Sequence, residues 1–364
     1  MTTITRPDDW HVHLRDGAML AHVLPETARC FERAIVMPNL DPPVRTADEA
    51  RAYRERILAA RPAGSSFEPL MTLYLTPETT PAEIARAKAS GIVFGAKLYP
   101  KGATTNARAG IERLDALDPL LAALERAGLP LLVHGEATDP DCDVFDREAV
   151  FLERWLAPAV ERFAGLRLVF EHITTELAAE YVRGAPARVG ATITPQHLLV
   201  NRNALFEGGL RPHHYCLPVP KRERDRRALL AAATSGDPHF FLGTDSAPHP
   251  RAEKESACGC AGVYSAPIAL ELYAEAFAAA GALDRLEGFA SHHGADFYGL
   301  PRNRGAVELA AERWTVPAPA SASADGARPL VFWSGRELGF RARPLAGELP
   351  RRDARSPREV HTAG

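Results

Sequence analysis

The chain has 364 residues, 46% hydrophobic and 24% charged, enough for one large α/β domain or two smaller ones. With 43 basic and 46 acidic residues the net charge is -3, which argues against a nucleic-acid partner and makes a small molecule the default. No stretch approaches the roughly 18 apolar residues of a spanning helix, and the opening MTTITRPDDW lacks the apolar core of a signal peptide, so a cytoplasmic protein without a membrane partner is expected.

Asp8-Asp9-Trp10 reads as a short extended run leading into His11-Val12-His13-Leu14-Arg15, where strand alternation puts His11 and His13 on one face. Met19 to Cys30 reads as a helix broken near Pro25, and Arg33 to Asn39 as a buried strand ended by Pro38 and Asn39. The unit then repeats: helix Thr46 to Arg61 with Thr46 as N-cap, strand Phe67 to Thr76, helix Pro81 to Ser90, and strand Val93 to Tyr99. Helix Ile111 to Ala127, stopped by Gly128, precedes strand Pro130 to Glu136, and helix Asp146 to Phe163 precedes strand Arg167 to Ile173. Helix Glu176 to Arg183, strand Val189 to Thr194, helix Arg224 to Thr234 and strand His239 to Thr244 complete eight alternations.

Strands alternating with helices favour parallel pairing, because each return to the same end of a sheet needs a crossover. Eight units point to an α/β fold closed as a (β/α)8 TIM barrel. A doubly wound sheet would carry a Gly-rich phosphate turn after an early strand, and none is found. Ala266 to Ala280 and Leu283 to His292 read as extra C-terminal helices, Pro317 to Ala327 as a connector, and Pro329 to Arg343 as a short strand pair or hairpin. Pro344 to Gly364, rich in Arg and Pro, reads as a disordered tail, giving one domain over 1–343 and a tail over 344–364. The five cysteines are odd in number and scattered, so they read as reduced thiols. Cys258-Gly259-Cys260 has no companion pair at zinc-finger spacing.

In such a barrel reactive residues sit where strands end. His11, His13, Lys97, His134, His172 and Asp245 fall at five of those ends. Lys97 is the odd member, since an ammonium is no metal ligand and an unpaired charge in a core strand is costly. If its pKa is lowered, the neutral amine can react with carbon dioxide, and the carbamate can bridge two metal ions.

The segments DDWHVHLRDG, AIVMPNLDPP, AKLYPKGATTN, LLVHGE, VFEHITT, ATITPQHL, YCLPVPKR, FLGTDSAPH and KESACGCAG make the sequence resemble the amidohydrolase superfamily and, within it, the bacterial class II dihydroorotases. The resemblance implies two zinc ions bridged by carboxylated Lys97 and a hydroxide, with His11, His13 and Asp245 on one zinc and His134 and His172 on the other. It also makes Asp245 the general base and then acid, and places Arg15, Asn39 and His249 on the α-carboxylate of dihydroorotate or N-carbamoyl-L-aspartate. By the same likeness, backbone at Leu217 and Ala261 meets the ring, and Thr104 and Thr105 donate from a loop, Pro100 to Gly110, that closes over substrate. A homodimer acting in pyrimidine synthesis is implied as well. His197 is left outside the metal set. Two alternatives stay open: a hydantoinase-like cyclic amide hydrolase, which would not need the Arg15, Asn39 and His249 clamp, and an inactive scaffold relative, which should have lost ligands.

Overall fold

The alternating apolar runs close into a (β/α)8 barrel in the computed structural model, which describes residues 2–318 and 328–348, the last three by backbone alone. A short strand, β1 (Thr2–Thr5), lies outside the barrel. The barrel strands are β2 (Asp9–Val12), β3 (Arg33–Val36), β4 (Glu68–Tyr74), β5 (Val93–Leu98), β6 (Leu131–Val133), β7 (Leu168–Phe170), β8 (Val189–Ile193) and β9 (Phe240–Leu242), neighbours in chain order and parallel. They are buried along nearly their whole length, as a parallel sheet covered by helices requires. Backbone bonds join the first to the last: the Asp245 N–H donates to the His11 carbonyl at 2.8 Å and the His13 N–H to the Ser246 carbonyl at 3.0 Å.

Residues two apart on a strand share a face, and this sorts the barrel interior into two levels. Leu132, Val169 and Phe241 pack with Trp10, Ile35 and Leu70 in a lower apolar plug. His134, Glu171 and Asp245 follow two or four positions later on the same chain segments, above it. Helix His293–Tyr298 closes the bottom: Tyr298 stacks on Trp10 with centroids 4.7 Å apart. Gly294 allows that approach, because a Cβ there would stand 2.0 Å from Trp10 Nε1.

Several helix expectations hold, including the Thr46 cap with its reciprocal Glu49 bond and the left-handed Gly128 stop (φ 60°). Others change. Helix Gly17–Cys30 runs through Pro25 unbroken, since Pro25 and Ala21, whose carbonyl the proline leaves unpaired, both face solvent. Ile111 is not helical. Its N–H donates to the Tyr99 carbonyl at 2.8 Å and its carbonyl accepts from Lys101, so it ties off a loop, and helix starts only at Leu114. The helical segment at Arg147–Arg162 contains a π turn, Leu152–Leu156, just before Pro158. The segment expected to end at His292 continues through a π turn to Tyr298.

The sequence reading missed a second sheet, antiparallel in the order β1-β10-β11, formed with β10 (Gly305–Thr315) and β11 (Glu337–Glu348). Register shifts between Ala311 and Trp314 break the period-two pattern that would have announced β10. Instead of a hairpin within Pro329 to Arg343, β11 pairs with the distant β10 and continues past Arg343, where the tail was expected to begin. Residues 349–364 of that tail and 319–327 of the connector lie outside the described residues. Among the described residues no helix is long and apolar enough to cross a membrane.

Candidate active site

At the C-terminal rim, one cavity is lined by His11, His13, Arg15, Asn39, Thr104, Thr105, His134, His172, Leu217, Asp245 and Ala261, joined by Tyr99. Of the other expected residues, Lys97 is fully buried with its Nζ 5.1 Å from the Tyr99 ring centre, and His249 lies against the cavity wall, contacting Arg15 and Ala261. The full expected set therefore meets in one region.

Strand alternation does not bring all of them there. Arg15, His172 and Asp245 have positive φ (57°, 42° and 45°), an uncommon conformation for non-glycine residues that clusters at functional sites. β2 ends at Val12, so strand alternation does not set the direction of Arg15. Arg15 is held by its Nε bond to the Pro248 carbonyl (3.0 Å) and by His249 Nε2, 3.0 Å from Nη2.

Asp245 Oδ1 lies 3.1 Å from His13 Nε2 and 3.4 Å from His11 Nε2, and one donor atom from each of the three residues falls within 4.8 Å of the others, a group that could hold a metal ion. Ring centres 4.9 Å apart for His11 and His172, and 4.8 Å for His134 and His172, extend the cluster across the barrel. His11 Nε2, His172 Nδ1 and Lys97 Nζ are buried without a hydrogen-bond partner. Buried polar atoms are costly when unpaired. Two bare imidazole nitrogens and an unpartnered amine, beside a carboxylate held between two of the histidines, fit a centre that binds cations.

The opposite ring nitrogens are engaged. His11 Nδ1 is 2.8 Å from Glu171 Oε2, His13 Nδ1 is 2.7 Å from Asn39 Oδ1, and His134 Nε2 is 2.8 Å from Glu136 Oε2. Each contact makes that nitrogen the donor and leaves the other lone pair for a ligand, the usual way of fixing a metal-binding tautomer. Sequence reasoning missed Glu171, Glu136 and Asn39 as histidine partners. The available signal was an acidic residue within or just after a buried apolar run, as in LVFEHI and LLVHGE.

Electrostatics agree. Burial, reinforced by the Lys97 charge, holds His11 and His172 well below the usual imidazole range, so they are neutral, the ligand form. Burial pushes the Lys97 amine down to about 8 against the pull of Glu171 and Asp245, and pushes the Glu171 carboxyl up to about 7. For Asp245 burial acts upward too, but the His13 hydrogen bond and the charges around it win and hold it at about 2.

The loop after β5 covers the cavity. Asn106 Nδ2 donates to the Asn39 carbonyl at 3.3 Å, and Thr105 Oγ1 reaches the Ala261 carbonyl at 3.5 Å. His197 has both ring nitrogens occupied, by Thr194 Oγ1 and the Pro218 carbonyl, in keeping with its exclusion from the metal set.

Residues 5–311 match the amidohydrolase family model. The chain is 64% identical over 339 residues to the dihydroorotase of Alkalilimnicola ehrlichii, covering 93% of this chain and 98% of the relative. It is 67% identical over 316 residues to that of Cupriavidus necator, covering 87% and 92%. Among solved structures it resembles the Saccharomyces cerevisiae dihydroorotase in complex with 5-fluoroorotic acid, with a TM-score of 0.86 and 32% identity over 94% of this chain and 99% of that one.

Proposed function

The chain belongs to the amidohydrolase family and is a dihydroorotase, a hydrolase acting on a cyclic amide, and on that premise we propose that it interconverts L-dihydroorotate and N-carbamoyl-L-aspartate at a two-zinc centre. The observation that carries the proposal is the orphaned donor set: His11 Nε2, His172 Nδ1 and Lys97 Nζ, buried and unpartnered. His11, His13 and Asp245 would hold one cation and His134 and His172 the other, with Lys97, carboxylated on its neutral amine, supplying a carboxylate to both. Bound there, the cations would bring the pKa of water toward roughly 7 and polarise the carbonyl under attack.

The chain's own residues do the rest. Arg15, whose Nε and one Nη are fixed by Pro248 and His249, grips the substrate carboxylate. Asn39, with Oδ1 committed to His13, presents its amide N–H₂ to the same group. His249 completes that clamp. Asp245, held ionised, takes the proton of the attacking water and delivers it to the departing ring nitrogen, a base and then an acid. Thr104 and Thr105 donate from the covering loop, which keeps bulk water from the reacting carbon. Backbone at Leu217 and Ala261 meets the ring. We extend the reading to a cytoplasmic homodimer.

Metal analysis with steady-state assays tests this. Protein purified without chelator should carry two zinc ions per chain and hydrolyse dihydroorotate far faster than dihydrouracil, which lacks the carboxylate. Chelation should abolish turnover and zinc restore it. A preference for dihydrouracil, or turnover indifferent to metal removal, refutes the proposal.

A further inference from the structure

The buried cation Lys254 lies outside the catalytic set. Lys254, in the single turn Arg251–Lys254, is 3% exposed, and it has no carboxylate partner among the described residues. Its Nζ instead donates to three backbone carbonyls: Tyr215 at 2.9 Å, Cys260 at 2.8 Å and Gly262 at 2.8 Å. An ammonium has three donors and each is used, so the tetrahedral head is matched to this convergence in a way a planar guanidinium is not.

The carbonyls belong to the two segments that form the cavity wall at Leu217 and Ala261. Residues 259–262 are contorted to present them, with φ of 67° at Gly259, 26° at Cys260 and 153° at Gly262. At Gly262 a Cβ would meet the Ala247 carbonyl at 2.6 Å, so no larger residue fits the bend. Carbonyls 260 and 262 face Lys254, while the one between them, on Ala261, faces His249 Nε2 at 3.1 Å and Thr105 Oγ1 at 3.5 Å. The Gly262 N–H donates to the Tyr215 carbonyl at 3.0 Å and stitches the two segments together. Without the ammonium, the Cys260 and Gly262 carbonyls lose the donor from Lys254, the Tyr215 carbonyl keeps only the Gly262 N–H, and a bend with strained φ values loses its anchor.

We propose that Lys254 is a positioning residue that sets the substrate-facing wall at Leu217 and Ala261, and so governs affinity for the pyrimidine ring without touching substrate or metal. The inference rests on the dihydroorotase reading. The polar contacts of Lys254 are backbone carbonyls of Tyr215, Cys260 and Gly262, none of them in the metal or carboxylate set, so its loss should act on binding rather than on metal loading or chemistry.

The test uses the zinc-loaded enzyme and Lys254→Met, which keeps the length and removes the donors. Expected are two zinc ions retained, KM for dihydroorotate raised at least tenfold, kcat within threefold of the parent, and 5-fluoroorotate binding by calorimetry weakened by a similar factor. Lys254→Arg, which keeps charge and donors in a planar head, should fall between parent and Lys254→Met. Should Lys254→Met not fold, Lys254→Arg carries the test through the same split: KM raised at least threefold with kcat kept supports the inference. Unchanged KM and 5-fluoroorotate affinity in the folded variant, or a fall confined to kcat or zinc content, overturns it. A parent enzyme that does not turn over dihydroorotate overturns the activity reading itself, a result distinct from a failure of the variants.

Discussion

Glu171 offers the sharpest perturbation, because it acts on the site through another residue. Its side chain is fully buried, and Oε2 sits 2.8 Å from His11 Nδ1 and accepts from Thr192 Oγ1 at 2.6 Å. In Glu171→Gln the amide oxygen can still accept from His11, so the ring keeps its orientation while the carboxylate charge is lost. A unit charge roughly 6 Å from a cation on the far nitrogen, at an effective dielectric of about 20, is worth about 3 kcal/mol. Burial pushes this carboxyl up to about 7, but an adjacent cation favours the ionised form, so the charge is present when the site is loaded. The retained amide dipole offsets part of the loss, leaving a 10–100-fold decrease in metal affinity, about 1.4–2.8 kcal/mol. Competition against a chromophoric chelator on stripped and reloaded protein reads the affinity, and a thermal melt controls for folding. A folded Glu171→Gln that binds zinc as tightly as the parent refutes the claim that this carboxylate tunes His11.

Arg15→Met should raise KM for dihydroorotate by about 10–100-fold, the worth of charge-assisted hydrogen bonds to a carboxylate, while leaving any turnover of dihydrouracil unchanged; equal losses on both substrates would remove Arg15 from the clamp. Lys97 is pushed down to about 8, so the neutral amine that must capture carbon dioxide is plentiful above that pH and falls about tenfold per unit below it. Reactivation of metal-stripped enzyme by zinc and bicarbonate should therefore slow from pH 8 to pH 6, and a flat profile contradicts the carbamate. Glu148, buried, accepts from the backbone N–H and hydroxyl of both Thr174 and Thr175, just after His172. Glu148→Ala should cost at least about 3 kcal/mol and lower the melting temperature; an unchanged melt would show that the clamp is dispensable.

The barrel and the rim positions of the candidate site residues were legible because both follow from periodicity. Runs such as RAIVMPN and PLLVHGE can only be strands buried on both faces, and a polar residue at the end of such a run has one place to go. What was not legible depends on local backbone geometry. Arg15 and His172 reach the cavity through positive φ, which alternation does not anticipate. β10 was hidden by its register shifts, and β11 pairs across an interval longer than any hairpin. Pro25 was taken as a helix breaker because the sequence does not say that the carbonyl it frees faces water. The acidic partners of the histidines were in view as residues but not as neighbours, since Glu171 and His11 are 160 positions apart.

Several of the candidate site residues also close the barrel. Asp9 Oδ1 accepts from the backbone N–H groups of His11 at 3.1 Å and Thr244 at 2.9 Å, and Oδ2 accepts from the Thr244 hydroxyl at 2.6 Å, so one carboxylate fastens the first strand to the segment leaving the last. The two backbone bonds of that seam belong to His11, His13, Asp245 and Ser246. Strands far apart in the chain carry a large loop-closure entropy, so this seam is the costliest pairing within the barrel. Lys97, His134 and His172, by contrast, sit on or just after β5, β6 and β7, consecutive neighbours that can pair without closing the barrel. One half of the site is thus built from local contacts, and the other exists only once the ends of the chain have met. Cations shared between the halves would bind the closed barrel and not the open chain, and so stabilise the barrel pairing that is hardest to form.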